Sequence, residues 1–250
     1  MVIALLTDFG TKDGFVGAVK GVILSINPSA QVVDITHEVE PFDILEGALI
    51  LKAHYSYFPK GSIFVCVVDP GVGSERRGIV VKTERYTFVG PDNGIFDLVL
   101  REEKNFETFV IENESFTLPR KNNTFHGRDI FAPVSAYLSK GVSPERIGRK
   151  TEYIFRLPIP EVKEEKDYIE GVILHFDRFG NAITSVPCGD YRKGMFRGEE
   201  FKVVNFFLEG EENRLNGICG SFGFMELFIP LGSAKEEFNL KKGEKVRFFK

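Results

Sequence analysis

The chain has 250 residues, 43% of them hydrophobic and 27% charged, with a formal net charge of -4. That is the composition of an ordinary globular protein and excludes a disordered tail or a fibre, and the absence of any basic run argues against nucleic acid as a partner. No apolar stretch approaches bilayer-spanning length and Met1 to Thr7 lacks a basic n-region, so no membrane partner is expected and the expected compartment is the cytoplasm.

In chain order, residues 2–6 form an apolar run that ends at Thr7-Asp8-Phe9-Gly10, and residues 14–27 carry Phe15, Val16, Val19, Val22 and Ile23 at helical spacing. The pattern predicts strand, loop, helix. Residues 31–36 give a second strand, residues 43–57 a second helix, and residues 63–68 a third strand that is apolar without alternation, as in a sheet covered on both faces. Residues 78–91 predict two strands turning near Glu84-Arg85, and residues 93–101 and 128–140 predict further helices. The expected architecture is a doubly wound α/β/α domain. After Tyr153, the prolines at 158 and 160 and the charged stretch 161–167 read as a linker, which divides the chain into residues 1–160 and 161–250. Beyond it, short strand-like pieces at 168–176, 182–186, 202–207, 225–230 and 245–249 lie between Gly-rich turns without a convincing helix, which predicts a small all-β, barrel-like domain.

Cys66, Cys188 and Cys219 are widely spaced and form no C-x-x-C pair, so they read as reduced thiols rather than a disulfide framework or a thiolate metal site. Lys and Glu are abundant while Gln occurs only at Gln31, a bias of heat-adapted proteins.

In an open α/β sheet, ligands bind beyond the carboxyl ends of the strands, where Asp8 and Asp69 fall. Either aspartate alone could simply cap the next helix or turn. Asp8-Phe9-Gly10 copies the magnesium triplet of kinases by chance, because the other kinase motifs are missing. Gly71-Val72-Gly73 lacks the third glycine of a dinucleotide fingerprint and the Lys-Ser/Thr ending of a P-loop. In Asp69-Pro70-Gly71-Val72-Gly73-Ser74-Glu75-Arg76-Arg77 a tight turn lets an arginine fold back over the aspartate, as a site or as a structural ion pair. His126, in Thr124-Phe125-His126-Gly127-Arg128-Asp129, precedes an apolar helical run; the helix dipole there favours the neutral imidazole of a general base. His37, His54 and His175 lie within helical or strand-like runs, read as packing or capping residues, and have no metal-site spacing.

Over nearly its whole length the chain resembles the S-adenosylmethionine hydroxide adenosyltransferases, or S-adenosylmethionine hydrolases, relatives of the fluorinases and chlorinases. The resemblance rests on Thr7-Asp8-Phe9-Gly10 with Asp13, Glu40-Pro41-Phe42, the 69–77 string, Gly90-Pro91-Asp92-Asn93-Gly94, the 124–129 string, Asp177-Arg178-Phe179-Gly180-Asn181 and Gly220-Ser221-Phe222-Gly223. It implies that Asp69, Arg76 and His126 hold and activate a water that attacks C5′ of S-adenosyl-L-methionine, giving adenosine and L-methionine with no metal, no other cofactor and no covalent intermediate. It further implies Asp8 on the ribose hydroxyls, Phe42 and Phe125 against the nucleoside, Asn181 on the adenine edge, Asp177 on the methionine ammonium, and Ser221 and Glu226 at the methionine end. A homotrimer with substrate between subunits is also implied. In the halogenases the match to His126-Gly127 looks like Tyr followed by Ser or Gly and the 69–77 string is replaced, so the intact trio favours water over halide. A nucleoside-binding sensor without turnover would keep the same pocket residues and is the rival from another class.

Overall fold

The run Val-Ile-Ala-Leu-Leu-Thr forms β1 (Val2–Thr7), with Ile3 and Leu5 buried on one face and Ala4 and Leu6 on the other. A computed structural model of the chain describes residues 1–119 and 122–250. After β1 come α1 (Phe15–Ile26), β2 (Gln31–Thr36), α2 (Ile44–His54) and β3 (Ile63–Val67). They are followed by β4 (Gly78–Thr83), β5 (Thr87–Pro91), α3 (Asp97–Leu100) and β6 (Phe106–Val110). A π-helical turn, Gly127–Phe131, then runs into α4 (Ala132–Ser139), and α5 (Pro144–Ile147) and β7 (Lys150–Thr151) complete the first of two compact units, Met1–Leu157.

Its seven strands lie in the order β2-β1-β3-β5-β4-β6-β7; β1, β2, β3 and β5 run parallel, and β4, β6 and β7 pair antiparallel. All five β3 side chains are buried, which explains the absence of alternation: one face packs with α1 and α4, the other with α2 and α3. At roughly 1.5–3 kcal/mol for each large apolar side chain removed from water, these two core layers are what hold the sheet. This is the expected three-layer α/β/α arrangement. The chain steps from β1 outward to β2 and then back across to β3, so the switch in strand order lies between β1 and β3. The predicted helix over 93–101 shrinks to α3, and β6, β7 and α5 were not legible as periodic segments, being two to five residues long.

The second unit, Pro158–Lys250, holds β8 (Lys163–Glu164), β9 (Tyr168–Phe176), β10 (Ala182–Pro187), β11 (Lys193–Phe196), β12 (Glu199–Val204), β13 (Asn216–Cys219), β14 (Phe224–Phe228), a short helix α6 (Ala234–Glu237) and β15 (Lys245–Phe249). Seven strands follow one another as β10-β14-β13-β12-β11-β15-β9, and a β9–β10 pairing closes the ring, with β8 added on β9. The barrel expectation holds, and its interior is filled by Ile173, Val186, Phe201, Met225, Leu227, Val246 and Phe248. β8, β11 and β13 add to the strands read from sequence, and the four-residue α6 is a helix where none was expected.

One expectation is overturned: Cys188 and Cys219 are joined in a disulfide, and only Cys66 is free and buried. Linear spacing hides the pairing because closure of the barrel brings the end of β10 and the end of β13 to a Cα–Cα distance of 5.1 Å across the start of β14. The bridge closes a loop with a sequence separation of 31. In the chain-entropy account a loop of that size stabilises by about 3–4 kcal/mol. Cys188→Ser with Cys219→Ser should lower the free energy of urea unfolding by about 3 kcal/mol. Denaturation with and without reductant checks it; identical midpoints would show that the two thiols are not joined in solution.

Candidate functional site

The loops after β1 and β3 flank the strand-order switch. Thr7 is paired with Val67, so Asp8 and Asp69 leave the sheet side by side, and both line one cleft with Phe42, Phe125 and His126. Phe9 and Phe15 line it as well and stack edge-on with Phe125, at centroid distances of 5.6 and 5.3 Å from its ring. In the sequence these two rings stand out only as a motif member and a helical-period position. Their proximity to Phe125 follows from the packing of α1 beside the π-helical turn.

Asp69 and Arg76 are brought together by a loop that folds on itself. Val72 N donates to the Asp69 carbonyl at 3.2 Å, the Ser74 hydroxyl donates to the Gly71 carbonyl at 2.6 Å, and Arg76 N donates back to Ser74 Oγ at 3.2 Å. Gly73 has φ +81 and a Cβ there would sit 2.6 Å from the Asn123 carbonyl oxygen, so both backbone conformation and the neighbouring chain demand glycine. Arg76 Nη2 then donates to Asp69 Oδ2 at 2.5 Å and to His126 Nδ1 at 2.9 Å, while Nη1 donates to the Arg77 carbonyl at 3.0 Å. The guanidinium also lies 5.5 Å from the Phe131 ring centre. Three groups 7 and 50 residues apart along the chain thus meet at one guanidinium nitrogen.

The side chains of Asp69 and Arg76 are only 5% and 10% exposed. Burial pushes the Asp69 carboxyl up from its ordinary value, opposed by Arg76 and reinforced by the negative charge of Asp8, and burial pushes Arg76 down against the pull of Asp69. Asp69 Oδ1 is buried and makes no aligned hydrogen bond, although the Gly71 N–H lies near enough to the carboxyl to work with Arg76 against the upward push of burial. Because Nδ1 of His126 accepts from Arg76, the network assigns the ring proton to Nε2, making His126 a donor at that nitrogen rather than an acceptor. His126 does stand immediately before the π-helical turn, as the sequence predicted.

Asp8 Oδ2 accepts the backbone N–H of Phe42 at 2.9 Å, and Phe42, 70% exposed, sits at φ +70. That conformation is costly for a bulky residue and marks functional loops. The second Arg of the string, Arg77, pairs instead with Asp92, whose other oxygen accepts from Phe155 N, so it anchors the following chain rather than the cleft.

In the second unit, Asp177 and Asn181 share the turn between β9 and β10. Asp177 Oδ1 accepts from Phe179 N at 2.9 Å and Asn181 N at 2.8 Å, and Oδ2 from Asn181 Nδ2 at 2.9 Å. Ser221 is on the exposed turn between β13 and β14, and Glu226 is buried on β14. Glu226 packs so closely on that turn that a Cβ at Gly220 would fall 1.8 Å from its Oε1. Its carboxyl is pushed up to about 7 by burial, with the Asp177 charge adding. Asp177, Asn181 and Glu226 therefore form one group, and Asp8, Phe42, Asp69, Arg76, Phe125 and His126 another. Among the described residues no group of three or more His, Cys, Asp or Glu is arranged to hold a metal ion.

Residues 3–148 match the SAM hydroxide adenosyltransferase N-terminal domain and residues 171–247 the C-terminal domain of the same family. An (R)-S-adenosyl-L-methionine hydrolase of Thermus thermophilus is 37% identical, over 97% of both chains, and one of Methanocaldococcus jannaschii is 34% identical, over 96% of this chain and 92% of that one. A fluorinase of Actinopolyspora mzabensis is more distant, at 28% identity over 98% of this chain. The crystal structure of an uncharacterised conserved protein from Thermotoga maritima superposes with a TM-score of 0.92 at 35% identity, covering 99% of this chain and all of the other. Both domain matches, in order and spanning most of the sequence, show that the chain belongs to the SAM hydroxide adenosyltransferase family.

Proposed function

We propose that this protein hydrolyses S-adenosyl-L-methionine, in its (R)-sulfonium form, to adenosine and L-methionine. The observation that carries the reading is the Asp69–Arg76–His126 contact, closed at 2.5 and 2.9 Å on the wall of a cleft that also holds Asp8 and Phe42. The hydrolase relatives at 34% and 37% identity, against 28% for the fluorinase, and the intact His126-Gly127 pair favour water over halide as nucleophile.

A sulfonium leaves readily and C5′ is a primary carbon, so displacement needs mainly a positioned nucleophile and a dry site. The water oxygen bonds to C5′ while the C5′–S bond breaks, its electron pair passing to sulfur to give the neutral thioether of methionine. Arg76 and the Nε2–H of His126 orient the water, and its proton goes to Asp69 Oδ1, the oxygen not bonded to Arg76, on a carboxyl raised by burial toward proton uptake. Asp8 holds the ribose hydroxyls, and Phe42 and Phe125 pack on the nucleoside. Asn181 takes the adenine edge, and Asp177, Ser221 and Glu226 take the methionine end. Carboxylates in both units suit a substrate carrying a sulfonium and an ammonium. The mechanism routes no step through a metal or a further cofactor.

The assembly in this proposal is a homotrimer with the substrate between subunits. Phe42, Phe179 and Leu231 are 70%, 76% and 100% exposed, apolar surface of the kind that a partner or ligand covers. The proposed compartment is the cytoplasm; no helix among the described residues is long and apolar enough to cross a membrane. A disulfide in that compartment matches the intracellular disulfides of hyperthermophiles, as does the Gln-poor composition.

Pure protein incubated with separated (R)- and (S)-sulfonium epimers should release adenosine from the (R) form by chromatography, unchanged by chloride or fluoride; a halogenated nucleoside, or bound substrate without turnover, would overturn the reading. Asp69→Asn keeps the hydrogen bond to Arg76 but removes the proton acceptor, so kcat should fall by about a hundredfold or more with little change in KM. A mere twofold effect would move the proton elsewhere. As pH rises through about 7, Glu226 ionises beside Asp177 and the pair gains a second negative charge. The ammonium and sulfonium bind that form better, so KM should fall several-fold between roughly pH 6 and 7.5, and Glu226→Gln should flatten the profile.

A further inference from the structure

We infer that His37, just beyond β2, is a positioning residue for the substrate-binding carboxylate Asp8. The inference rests on the proposed role of Asp8, and its observations concern the wall behind the cleft. Thr7 and His37 are 2% and 6% exposed, and the Thr7 hydroxyl lies 2.8 Å from His37 Nδ1, a side-chain bond across 30 residues. The other ring nitrogen, Nε2, lies 3.0 Å from Asp34 Oδ1, too oblique for an aligned hydrogen bond yet close enough for the carboxylate to favour a proton there. Lys20 Nζ lies 2.6 Å from Asp34 Oδ2. Partial burial works against the Asp34 carboxylate, but its contacts with Lys20 and His37 hold the carboxyl below its ordinary value, so the anion persists at neutral pH.

The direction of every bond follows. With the proton on Nε2, Nδ1 is an acceptor and Thr7 must donate its hydroxyl hydrogen to it; the hydroxyl oxygen is then left to accept the Phe9 N–H, 3.2 Å away. The His37 carbonyl accepts the Gly10 N–H at 2.7 Å, and Val39 N approaches the Thr7 carbonyl at 3.4 Å. The residues on either side of Asp8 are therefore tied to the segment that leads from His37 to Phe42, and Asp8 itself accepts from Phe42 N. One histidine fixes, as a single piece, the two loops proposed to grip the nucleoside. The Asp69, Arg76 and His126 groups stand on other elements, so loss of the His37 contact should loosen substrate binding and spare the chemical step.

The test compares His37→Asn, whose amide oxygen falls near the place of Nδ1, with His37→Gln, whose amide falls near Nε2, and with Thr7→Val. KM for hydrolysis and the dissociation constant for adenosine, measured by calorimetry, should rise about tenfold in His37→Gln and Thr7→Val, with kcat within about threefold. His37→Asn should recover most of the affinity. Equal behaviour of Asn and Gln, a fall in kcat in place of the KM effect, or a lowered melting temperature with unchanged adenosine affinity would each overturn the inference. Nitrogen-15 spectra of the wild-type ring give a readout independent of activity: the proton on Nε2, with Nδ1 perturbed by Thr7→Val, supports it, and a proton on Nδ1 defeats it. A wild-type protein that neither cleaves the substrate nor binds adenosine would instead defeat the proposed function, leaving the ring spectra to decide the placement of His37.

Discussion

A guanidinium held between a carboxylate and an imidazole, away from bulk water, is the contact on which the rest of the site depends. Charges buried to this degree persist only when paired and hydrogen-bonded. Arg76 meets that requirement with Asp69, His126 and the Arg77 carbonyl. The cost of burying these charges is carried by the sheet: β3 delivers Asp69 from a fully apolar strand, and the loop to Arg76 turns back through Gly73, where a Cβ would strike the Asn123 carbonyl.

The same pairing sets the chemistry. Since Arg76 takes one nitrogen of His126, the imidazole is fixed as a donor, and since Arg76 takes one oxygen of Asp69, the other oxygen is the one to which the proposed mechanism gives the proton. In the proposed mechanism, a trio whose members have fixed donor and acceptor roles is preorganised for the attacking water. Near charge balance between Arg76 and Asp69 also keeps the wall of the cleft compatible with a cationic substrate, to which Asp8 adds a negative charge.

The barrel unit repeats the theme with different supports. Asp177 is fixed by three N–H donors of its own turn, and Glu226 is pressed against the turn carrying Ser221. The disulfide from Cys188 to Cys219 ends one residue before Gly220, so the covalent tie is placed where the barrel presents those groups rather than at the far end of its strands.

By itself the sequence determined the two fold classes, because uninterrupted apolar strands between helical periods demand a sheet covered on both faces, and short strands between glycine turns demand closure. It also determined which residue types could do the chemistry, through strings such as 69–77 and 124–129. What the tertiary structure decided was everything that depends on approach between distant segments. The Cys188–Cys219 bridge, the β6 and β13 strands, the Phe9 and Phe15 rings beside Phe125, and the Thr7–His37 bond have no local signal, since each exists only once the sheet or barrel has closed. The direction of the proton in the trio belongs to the same class. A histidine before a helix reads as a base, and only the position of the Arg76 guanidinium, 2.9 Å from Nδ1, turns it into a donor.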